Sequence, residues 1–240
     1  MTGAAGPNLV EVAELRFRWP GAGADCLQIE QLSLAHGESL FIRGPSGCGK
    51  STLLSLLAGV LTAKVGHVGL QGQCWSKLSA AKRDRRRADH IGYIFQQFNL
   101  LPYLSLRDNV LLTCRLSRSR ALRAGPDPWR AAETWLRAMG LGEELWQRRA
   151  VELSVGQQQR VAAARALIGQ PELIIADEPT SALDEPLRDA FIDRLLSACK
   201  AAGSGLLFVS HDRGLAQRFD RQVDLAALNR AYAAAAEPQR

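Results

Sequence analysis

The apolar positions of the chain change their period along its length. Near the amino terminus they alternate with polar ones, in LVEVAEL and again in CLQIEQLSLAH, which predicts β-strands buried on one face. The run SLFIRG predicts a fully buried strand, and the apolar spacing from Lys50 to Leu61 predicts a helix. A glycine-rich turn from Gly44 to Gly49 separates that strand from the helix.

Beyond a strand predicted at Ile91 to Phe95, the spacing becomes mostly helical. Further helices are predicted at 106–116, 129–139, 154–168 and 185–200, and buried strands at 173–176 and 206–210. Short apolar strands that alternate with helices indicate an α/β fold with a parallel sheet, which binds ligands at the carboxyl ends of its strands. We expect a single domain, 1–240, with a catalytic core and β subdomain at 1–96 and 170–228, a helical insertion at 97–169 and a tail at 229–240.

Composition excludes several classes of protein. The 240 residues are 47% hydrophobic, as in a globular chain, and the five cysteines form no CxxC pair, which argues against a disulfide framework or a zinc site. We expect no signal peptide and no direct insertion into a bilayer, because every apolar run is shorter than a membrane-spanning helix requires. The net charge of +6 comes mostly from arginine, and the KRDRRR cluster has no interleaved aromatic residues, so no nucleic acid is expected as a partner.

The glycine-rich turn carries the clearest chemistry. It fits the pattern G-x-x-x-x-G-K-[ST] between an apolar strand and an apolar helix, the context of a phosphate-binding loop. Backbone N–H groups at the helix start bind phosphate oxygens, Lys50 adds a positive charge, and the Ser51 hydroxyl is a ligand for Mg²⁺. The predicted nucleotide-binding residues of this turn are Gly44, Pro45, Ser46, Gly47, Cys48, Gly49, Lys50, Ser51 and Thr52.

Cys48 lies within this turn, beside Lys50 and at a helix N-terminus. Such a position tends to lower the pKa of a thiol. We expect a bulky thiol reagent at Cys48 to block nucleotide binding and ATP to protect it. The alternative is that Cys48 is only a packing residue.

Polar residues follow three of the predicted strands. Asp177 and Glu178 end the strand LIIADE, where Asp177 suits a metal ion and Glu178 suits a general base that polarises water. His211 follows GLLFVS and Gln96 follows IGYIF, so both are candidates for contact with a phosphate, a metal or the attacking water. The alternative is that these side chains only cap the helices that follow.

The segment LSVGQQQR opens a long helix with Ser154 as its predicted N-cap. A helix start that carries a hydroxyl and a glycine is a second anion site, although the simpler interpretation is only that a helix begins here. The chain has one phosphate turn, so a second site suggests that both ends of one triphosphate are held.

These motifs, in this order, resemble those of the ATP-binding cassette (ABC) transporter ATPases over about Leu9 to Leu228. The resemblance implies a P-loop NTPase (RecA-like) core with an N-terminal antiparallel β subdomain and an inserted α-helical subdomain. It implies a head-to-tail homodimer that binds two ATP molecules with Mg²⁺. The Mg²⁺ ligands would be Ser51, Gln96 and Asp177. The catalytic residues would be Lys50, Gln96, Glu178 and His211. In that dimer the signature of one subunit (Ser154, Gly156 and Gln157) faces the phosphate turn of the other. The resemblance also places Asp184 in the D-loop. It implies that Trp19, or alternatively Phe17, stacks on the base.

Val155 departs from the family pattern, which commonly has glycine there. Valine is tolerated if the backbone is helical at that point, and hydrolysis is slowed if it is not. The segment from 225 to 240 also lacks the usual glycine-containing turn and ends in an alanine-rich stretch.

The segment RRADHIGYIFQQFNLLPYLSLRDNV resembles the subfamily of lipoprotein-releasing, macrolide-exporting and cell-division cassettes. That resemblance implies a separate membrane permease, a peripheral location at the cytoplasmic face of the inner membrane, and mechanotransmission. The apolar residues Phe98, Leu100, Leu101, Pro102 and Tyr103 either dock a helix of the permease or pack beneath the chain's own helices.

Other functions stay open at this point. One is a soluble ABC-type ATPase regulator that acts on nucleic acid or the ribosome, although the chain has one phosphate turn and no sustained heptads. A P-loop kinase would leave LSVGQQQR without a role. A scaffold that binds ATP without hydrolysing it is allowed by Val155.

Overall fold

The computed structural model describes residues 8–236 as two compact units. The first unit comprises residues up to Arg87 and from Leu207 onward, and the second comprises Ala88–Leu206. The strands are β1 (Val10–Phe17), β2 (Leu27–Leu34), β3 (Ser39–Arg43), β4 (Val65–Leu70), β5 (Gln73–Cys74), β6 (Ile91–Ile94), β7 (Leu173–Asp177), β8 (Gly205–Val209) and β9 (Arg221–Asp224). The α-helices are α1 (Lys50–Leu57), α2 (Ala80–His90), α3 (Leu106–Leu116), α4 (Arg118–Arg123), α5 (Pro128–Ala138), α6 (Val155–Leu167), α7 (Glu185–Ala202), α8 (Leu225–Leu228) and α9 (Arg230–Ala236).

The first unit contains the predicted β structure as an antiparallel sheet in the order β2-β1-β4-β5. Buried and open positions alternate along β1, as the sequence predicted, and Val12 pairs with Leu32 and with Val68. A bulge interrupts the β1–β4 register at Glu14, whose φ is 49°. Gly66 makes the bulge possible, because a Cβ there would lie 2.4 Å from the Glu14 carbonyl oxygen.

The first unit also holds the strand and helix that flank the glycine-rich turn. β3 is buried for four of its five residues and pairs in parallel with β9, and α1 buries Leu53, Leu54 and Leu57. The predicted helix to Leu61 is too long, since α1 ends at Leu57. Gly59 follows with φ 67°, and the Trp75 ring covers it so closely that a Cβ would lie 2.6 Å from the indole.

The second unit is mostly helical and contains the parallel pair β6–β7, in which Ile94 pairs with Ala176. α6 packs on β6, where Gly92 allows the approach: a Cβ there would lie 2.3 Å from the Ala166 carbonyl oxygen. α3 and α5 pack on the same helix, and α7 packs on both α5 and α6. Mixed parallel and antiparallel sheets with packed helices confirm the predicted α/β class.

The helices α2 and α4 are among those that were not predicted. α2 carries the KRDRRR cluster and has no buried residue, yet some of its arginines bind the chain itself: Arg83 donates to the Leu78 carbonyl and Arg86 to the Leu70 carbonyl, both at 2.8 Å. α4 is short and carries a buried arginine, Arg120.

The predicted division at 97–169 and 170–228 stays a prediction, and the predicted tail at 229–240 lies partly outside the described residues. Within residues 8–236, none of the helices has both the length and the apolar character that crossing a bilayer demands.

Candidate functional site

In the first unit the glycine-rich turn joins β3 to α1. Gly47 and Gly49 adopt φ values of 81° and 101°, a left-handed backbone that glycine takes at least cost. The Lys50 ammonium folds back over the turn and donates to the carbonyl oxygens of Gly44, at 2.7 Å, and Pro45, at 3.1 Å. The Ser51 side chain is exposed on the first turn of α1. The free N–H groups of a helix start, a lysine and a hydroxyl are therefore grouped as an anion site requires.

The Cys48 thiol does not behave as the sequence predicted. Its side chain is completely buried, and burial raises the pKa of the thiol, although Lys50 acts in the opposite direction. The expected lowering of the pKa was wrong, because the loss of hydration on burial outweighs the neighbouring charge.

Cys48 should therefore react slowly with a maleimide at neutral pH, since only the thiolate is nucleophilic. We expect the rate to rise as the pH is raised toward the elevated pKa of the thiol and to fall when ATP is bound. Peptide mapping by mass spectrometry measures the modification, with the half-buried Cys26 of the same unit as the internal comparison. Modification of Cys48 at pH 7 as fast as that of a free cysteine would contradict the assignment of a buried, protonated thiol.

Trp19 lies just beyond β1 in the first unit. Its ring is 44% exposed and meets the buried Phe17 ring edge-on, with centroids 5.3 Å apart. The loop that carries Trp19 is closed by an ion pair between Arg18 and Asp25 at 2.9 Å and ends at Cys26, whose Sγ lies 3.7 Å from the Thr52 hydroxyl. Of the two aromatic candidates, Trp19 is therefore the exposed one, and Phe17 is buried against it.

A cavity of about 770 Å³ opens beside this loop. Its lining includes the Trp19 and Phe17 rings, the basic side chains of Arg16 and Lys64, and Leu61. Flat rings, apolar carbons and cations together suit an aromatic, negatively charged ligand.

His211 is exposed two residues beyond β8. The preceding residue, Ser210, is buried and its N–H donates to the Ile42 carbonyl of β3, at 3.2 Å. β3 continues from Ile42 through Arg43 into Gly44. The first unit thus brings His211 next to the strand that leads into the phosphate turn.

The acidic strand end lies in the second unit. Asp177 is the last residue of β7, and the Tyr93 hydroxyl of β6 donates to its Oδ2 at 3.5 Å. Burial, and then the Asp177 charge, raise the pKa of Tyr93, so this hydroxyl keeps its proton and remains a donor. Glu178 follows with φ 44°, an uncommon conformation for a residue with a Cβ, and it ends the strand.

Gln96 is exposed and follows β6, which ends at Ile94, one residue earlier than predicted. Because Ile94 pairs with Ala176, the parallel register brings Gln96 to the same edge of the β6–β7 pair as Glu178. The second unit therefore groups the predicted metal ligands Gln96 and Asp177 and the predicted general base Glu178 at one edge of the β6–β7 pair.

The loop after Gln96 is fixed in place by α6. Phe98 and Asn99 have φ values of 57° and 48°, and their carbonyl oxygens accept hydrogen bonds from the Arg165 guanidinium at 2.5 and 2.6 Å. Burial lowers the pKa of Arg165 to about 10, which leaves it charged at neutral pH. The next part of the loop is held by the buried Asn109, whose Oδ1 accepts from the Leu101 N–H at 2.8 Å.

Within this loop, Phe98 is buried and Tyr103 is 69% exposed. The Phe98 end of the segment therefore packs beneath the chain's own helices, and the Tyr103 end faces outward, where docking of a permease helix stays a prediction.

The signature segment begins α6. Ser154 is the N-cap, as predicted: its Oγ accepts from the Gln157 N–H at 3.3 Å, and the Gln157 Oε1 accepts from the Ser154 N–H at 2.9 Å, forming a capping box. Val155 is the first helical residue and is 48% exposed, so valine meets no left-handed backbone here. Gly156 faces the D-loop, since a Cβ there would lie 3.7 Å from Leu183.

Asp184, the predicted D-loop residue, is the N-cap of α7. Its Oδ1 accepts from the Leu187 N–H at 3.1 Å. The cap fixes the start of α7, and with it the D-loop beside the signature helix.

Each unit carries oxygen donors of the kind that Mg²⁺ prefers, since this ion binds oxygen ligands and keeps several from phosphate and water. The first unit offers the exposed Ser51 hydroxyl, and the second offers the Asp177 carboxylate and the Gln96 amide oxygen. Among residues 8–236, no three His, Cys, Asp or Glu side chains are grouped to hold a metal alone.

Sequence reasoning missed the residues that support this site. Tyr93 was assigned only to a strand, and Arg165 and Asn109 only to helices. A signal was present for Arg165, because it interrupts the otherwise apolar run VAAARALI. An arginine at such a position has to bind a polar group if it is buried.

The chain is similar in sequence and in structure to known proteins. The family model described as ABC transporter matches residues 27–181. The uncharacterized ABC transporter ATP-binding protein YbbA of Escherichia coli K12 is 39% identical over 91% of this chain and 94% of its own length. The lipoprotein-releasing system ATP-binding protein LolD of Novosphingobium aromaticivorans is also 39% identical, over 90% of this chain and 96% of its own length.

A solved structure extends the comparison. The chain is similar to the ATP-binding cassette MJ0796, described as a dimer in a post-hydrolysis state bound to ADP and Pi. The TM-score is 0.78 at 30% identity, over 90% of this chain and 93% of that one.

Proposed function

The chain belongs to the ATP-binding subunits of ABC transporters, and from this premise we propose that two copies close around two ATP molecules to drive a separate membrane permease. As a member of this family it is an ATPase that converts ATP to ADP and phosphate. The observation that carries the dimer is the start of α6, which Ser154 caps and where Gly156 lies beside Leu183 of the D-loop. In the proposal this helix start serves as a second anion site in a chain with one phosphate turn, and the similar cassette was solved as a dimer.

In this proposal the phosphate turn of the first unit binds the nucleotide. The turn from Gly44 to Thr52 binds the phosphates through backbone N–H groups and Lys50, which leaves its own carbonyl partners to do so. Trp19 stacks on the base, because its exposed aromatic ring can offer a π face to a flat ring. Ser154, Gly156 and Gln157 of the partner copy hold the γ-phosphate from the opposite side.

Glu178 then takes a proton from the attacking water, whose oxygen forms a bond to the γ-phosphorus while the bond to the β–γ bridging oxygen breaks. Gln96 and His211 orient that water and the γ-phosphate. Mg²⁺, held by Ser51, Gln96 and Asp177, would neutralise charge on the phosphate oxygens. Tyr93 keeps Asp177 oriented through its hydrogen bond.

The permease is proposed from the relatives and from one exposed loop. LolD is named as the ATP-binding protein of a lipoprotein-releasing system, and in this proposal the present chain likewise works with a membrane partner, by mechanotransmission. The end of the loop at Tyr103 faces outward, while Arg165 and Asn109 hold the rest of the loop rigid. A partner helix seated there would place this chain at the cytoplasmic face of the inner membrane.

Replacing Lys50 with alanine should weaken ATP binding by about 10- to 100-fold, because charge-assisted hydrogen bonds to phosphate are lost. The exposed Lys82 provides the matched control, since Lys82→Ala removes an equal charge in the same unit. Phosphate release and ATP titration measure both variants. Equal affinity in Lys50→Ala and the unmodified chain would contradict the nucleotide site.

The partner is tested by expressing the chain together with the product of an adjacent reading frame that encodes a permease. We expect the two to copurify from detergent-solubilised membranes. Recovery of the chain on ribosomes or nucleic acid, with no membrane protein, would instead favour the soluble regulator.

A further inference from the structure

Asn229 lies between α8 and α9 and is completely buried. An asparagine without hydrogen-bond partners would be costly at such a position. Its amide instead binds backbone groups from two distant parts of the first unit, at Cys26–Gln28 and at Cys48, and the nearby N–H of Ala231. None of the motifs in the sequence includes it.

The amide is fully engaged. Its Nδ2 donates to the carbonyl oxygens of Cys26, at 3.0 Å, and Cys48, at 3.1 Å. Its Oδ1 accepts from the N–H groups of Gln28, at 2.8 Å, and Ala231, at 3.2 Å. The amide thus uses both of its N–H donors and both lone pairs of its oxygen. A flipped amide would turn Nδ2 toward the backbone N–H groups and Oδ1 toward the backbone carbonyl oxygens, so all four hydrogen bonds would be lost.

The bond to Cys48 reaches the phosphate turn itself. In a trans peptide the carbonyl of one residue and the N–H of the next point in opposite directions. Holding the Cys48 carbonyl toward Asn229 therefore directs the Gly49 N–H to the opposite side of the peptide. That N–H belongs to the N-cap of α1, at the point where a phosphate binds.

The same C-terminal segment also packs against both ends of the turn. A Cβ on Gly49 would lie 2.5 Å from the Leu27 side chain and 3.6 Å from the Asn229 Nδ2. A Cβ on Gly44 would lie 3.5 Å from Leu225. The segment from Leu225 to Asn229 is thus the outer wall of the turn, in a part of the chain where the family's usual glycine turn is missing.

We propose that Asn229 is a positioning residue for phosphate binding, which holds the Cys48–Gly49 peptide so that its N–H faces the nucleotide. The proposal rests on the proposed function and adds a residue 181 positions along the chain from the turn that it orients. Asn229 itself does not touch the nucleotide.

The test compares KM, kcat and ADP affinity. In Asn229→Ala we expect KM for ATP and Kd for ADP to rise about tenfold, which corresponds to about 1.4 kcal/mol, with kcat within about twofold of wild type. The peptide N–H binds phosphate equally in the ground and transition states, so its loss raises KM alone. A merely structural role would lower the active fraction, and hence kcat, at unchanged KM.

The matched control is Ser39→Ala. Ser39 is also buried in the first unit, and its Oγ donates to Asp220 at 2.7 Å, but it lies at the far end of β3 from the turn. We expect this variant to lose thermal stability with KM unchanged. An Asn229→Ala variant with wild-type KM, or a Ser39→Ala variant with an equal rise in KM, would overturn the proposal.

Two further variants keep the test decisive if Asn229→Ala does not fold. Asn229→Leu keeps the approximate volume but loses both donors and both acceptors, so KM should rise as much as in the alanine variant. Asn229→Ser retains one hydroxyl donor and should give an intermediate KM, and a KM above that of Asn229→Leu would count against the proposal. ADP binding needs no turnover, so a chain that binds ADP without hydrolysing ATP would refute the proposed activity and still test Asn229.

Discussion

Glu178→Gln should lower the rate of ATP hydrolysis by about 10²- to 10⁴-fold, the usual contribution of a general base. The amide is the same size as the carboxylate but cannot accept the proton of the attacking water. ATP binding should change little, because Lys50 and the turn are untouched. Single-turnover phosphate release and ATP titration together separate these two effects.

The control for this variant is Glu144→Gln, which neutralises an exposed carboxylate of the same unit. It should hydrolyse ATP at the wild-type rate. A Glu178→Gln variant as fast as wild type would remove Glu178 from the role of base.

The same variant also tests the dimer. With turnover blocked, Mg-ATP should hold two copies together, as measured by size-exclusion chromatography with light scattering, and ADP should release them. A chain that stays monomeric under Mg-ATP, even with its permease present, would contradict the proposal that the Ser154 helix of one copy completes the site of the other.

The sequence predicted the features that depend on neighbouring residues. The phosphate turn, the Ser154 cap and the alternation of β1 are each set by spacing within a few residues, and the structure has the turn, the cap and the strand in place. The resemblance to the ABC family rests on several such local motifs at once. That is why fold class and family could be predicted, with helix ends off by a few residues, as at Leu57.

The hydrogen-bond partners of the supporting residues could not be predicted, because they are remote in sequence. Asn229 binds residues 181 and 203 positions away, and Arg165 binds Asn99 66 positions away. The prediction of a lowered pKa for Cys48 was wrong for the same reason. The sequence shows Lys50 beside the thiol, but the burial that outweighs it comes from the three-dimensional packing around the turn.

Arg120 shows how such a remote partner fixes the signature helix from its other end. The side chain is 1% exposed and donates to the carbonyl oxygens of Ile168, Ala166 and Ile91, at 2.8, 2.5 and 3.3 Å. Carbonyls at the end of a helix have no partners within it, and the helix dipole makes that end negative, so a cation there is doubly favourable. Burial lowers the pKa of Arg120 to about 10, and the group stays charged at neutral pH.

Arg120→Met should therefore lower the free energy of unfolding by about 3–5 kcal/mol, because several buried carbonyls lose their donor at once. Arg118→Met, an exposed change on the same helix, should alter it by less than about 0.5 kcal/mol. Urea denaturation of both variants measures the difference. Equal stability would mean that water replaces the guanidinium at the end of α6, and the signature helix would then not depend on Arg120 for its position.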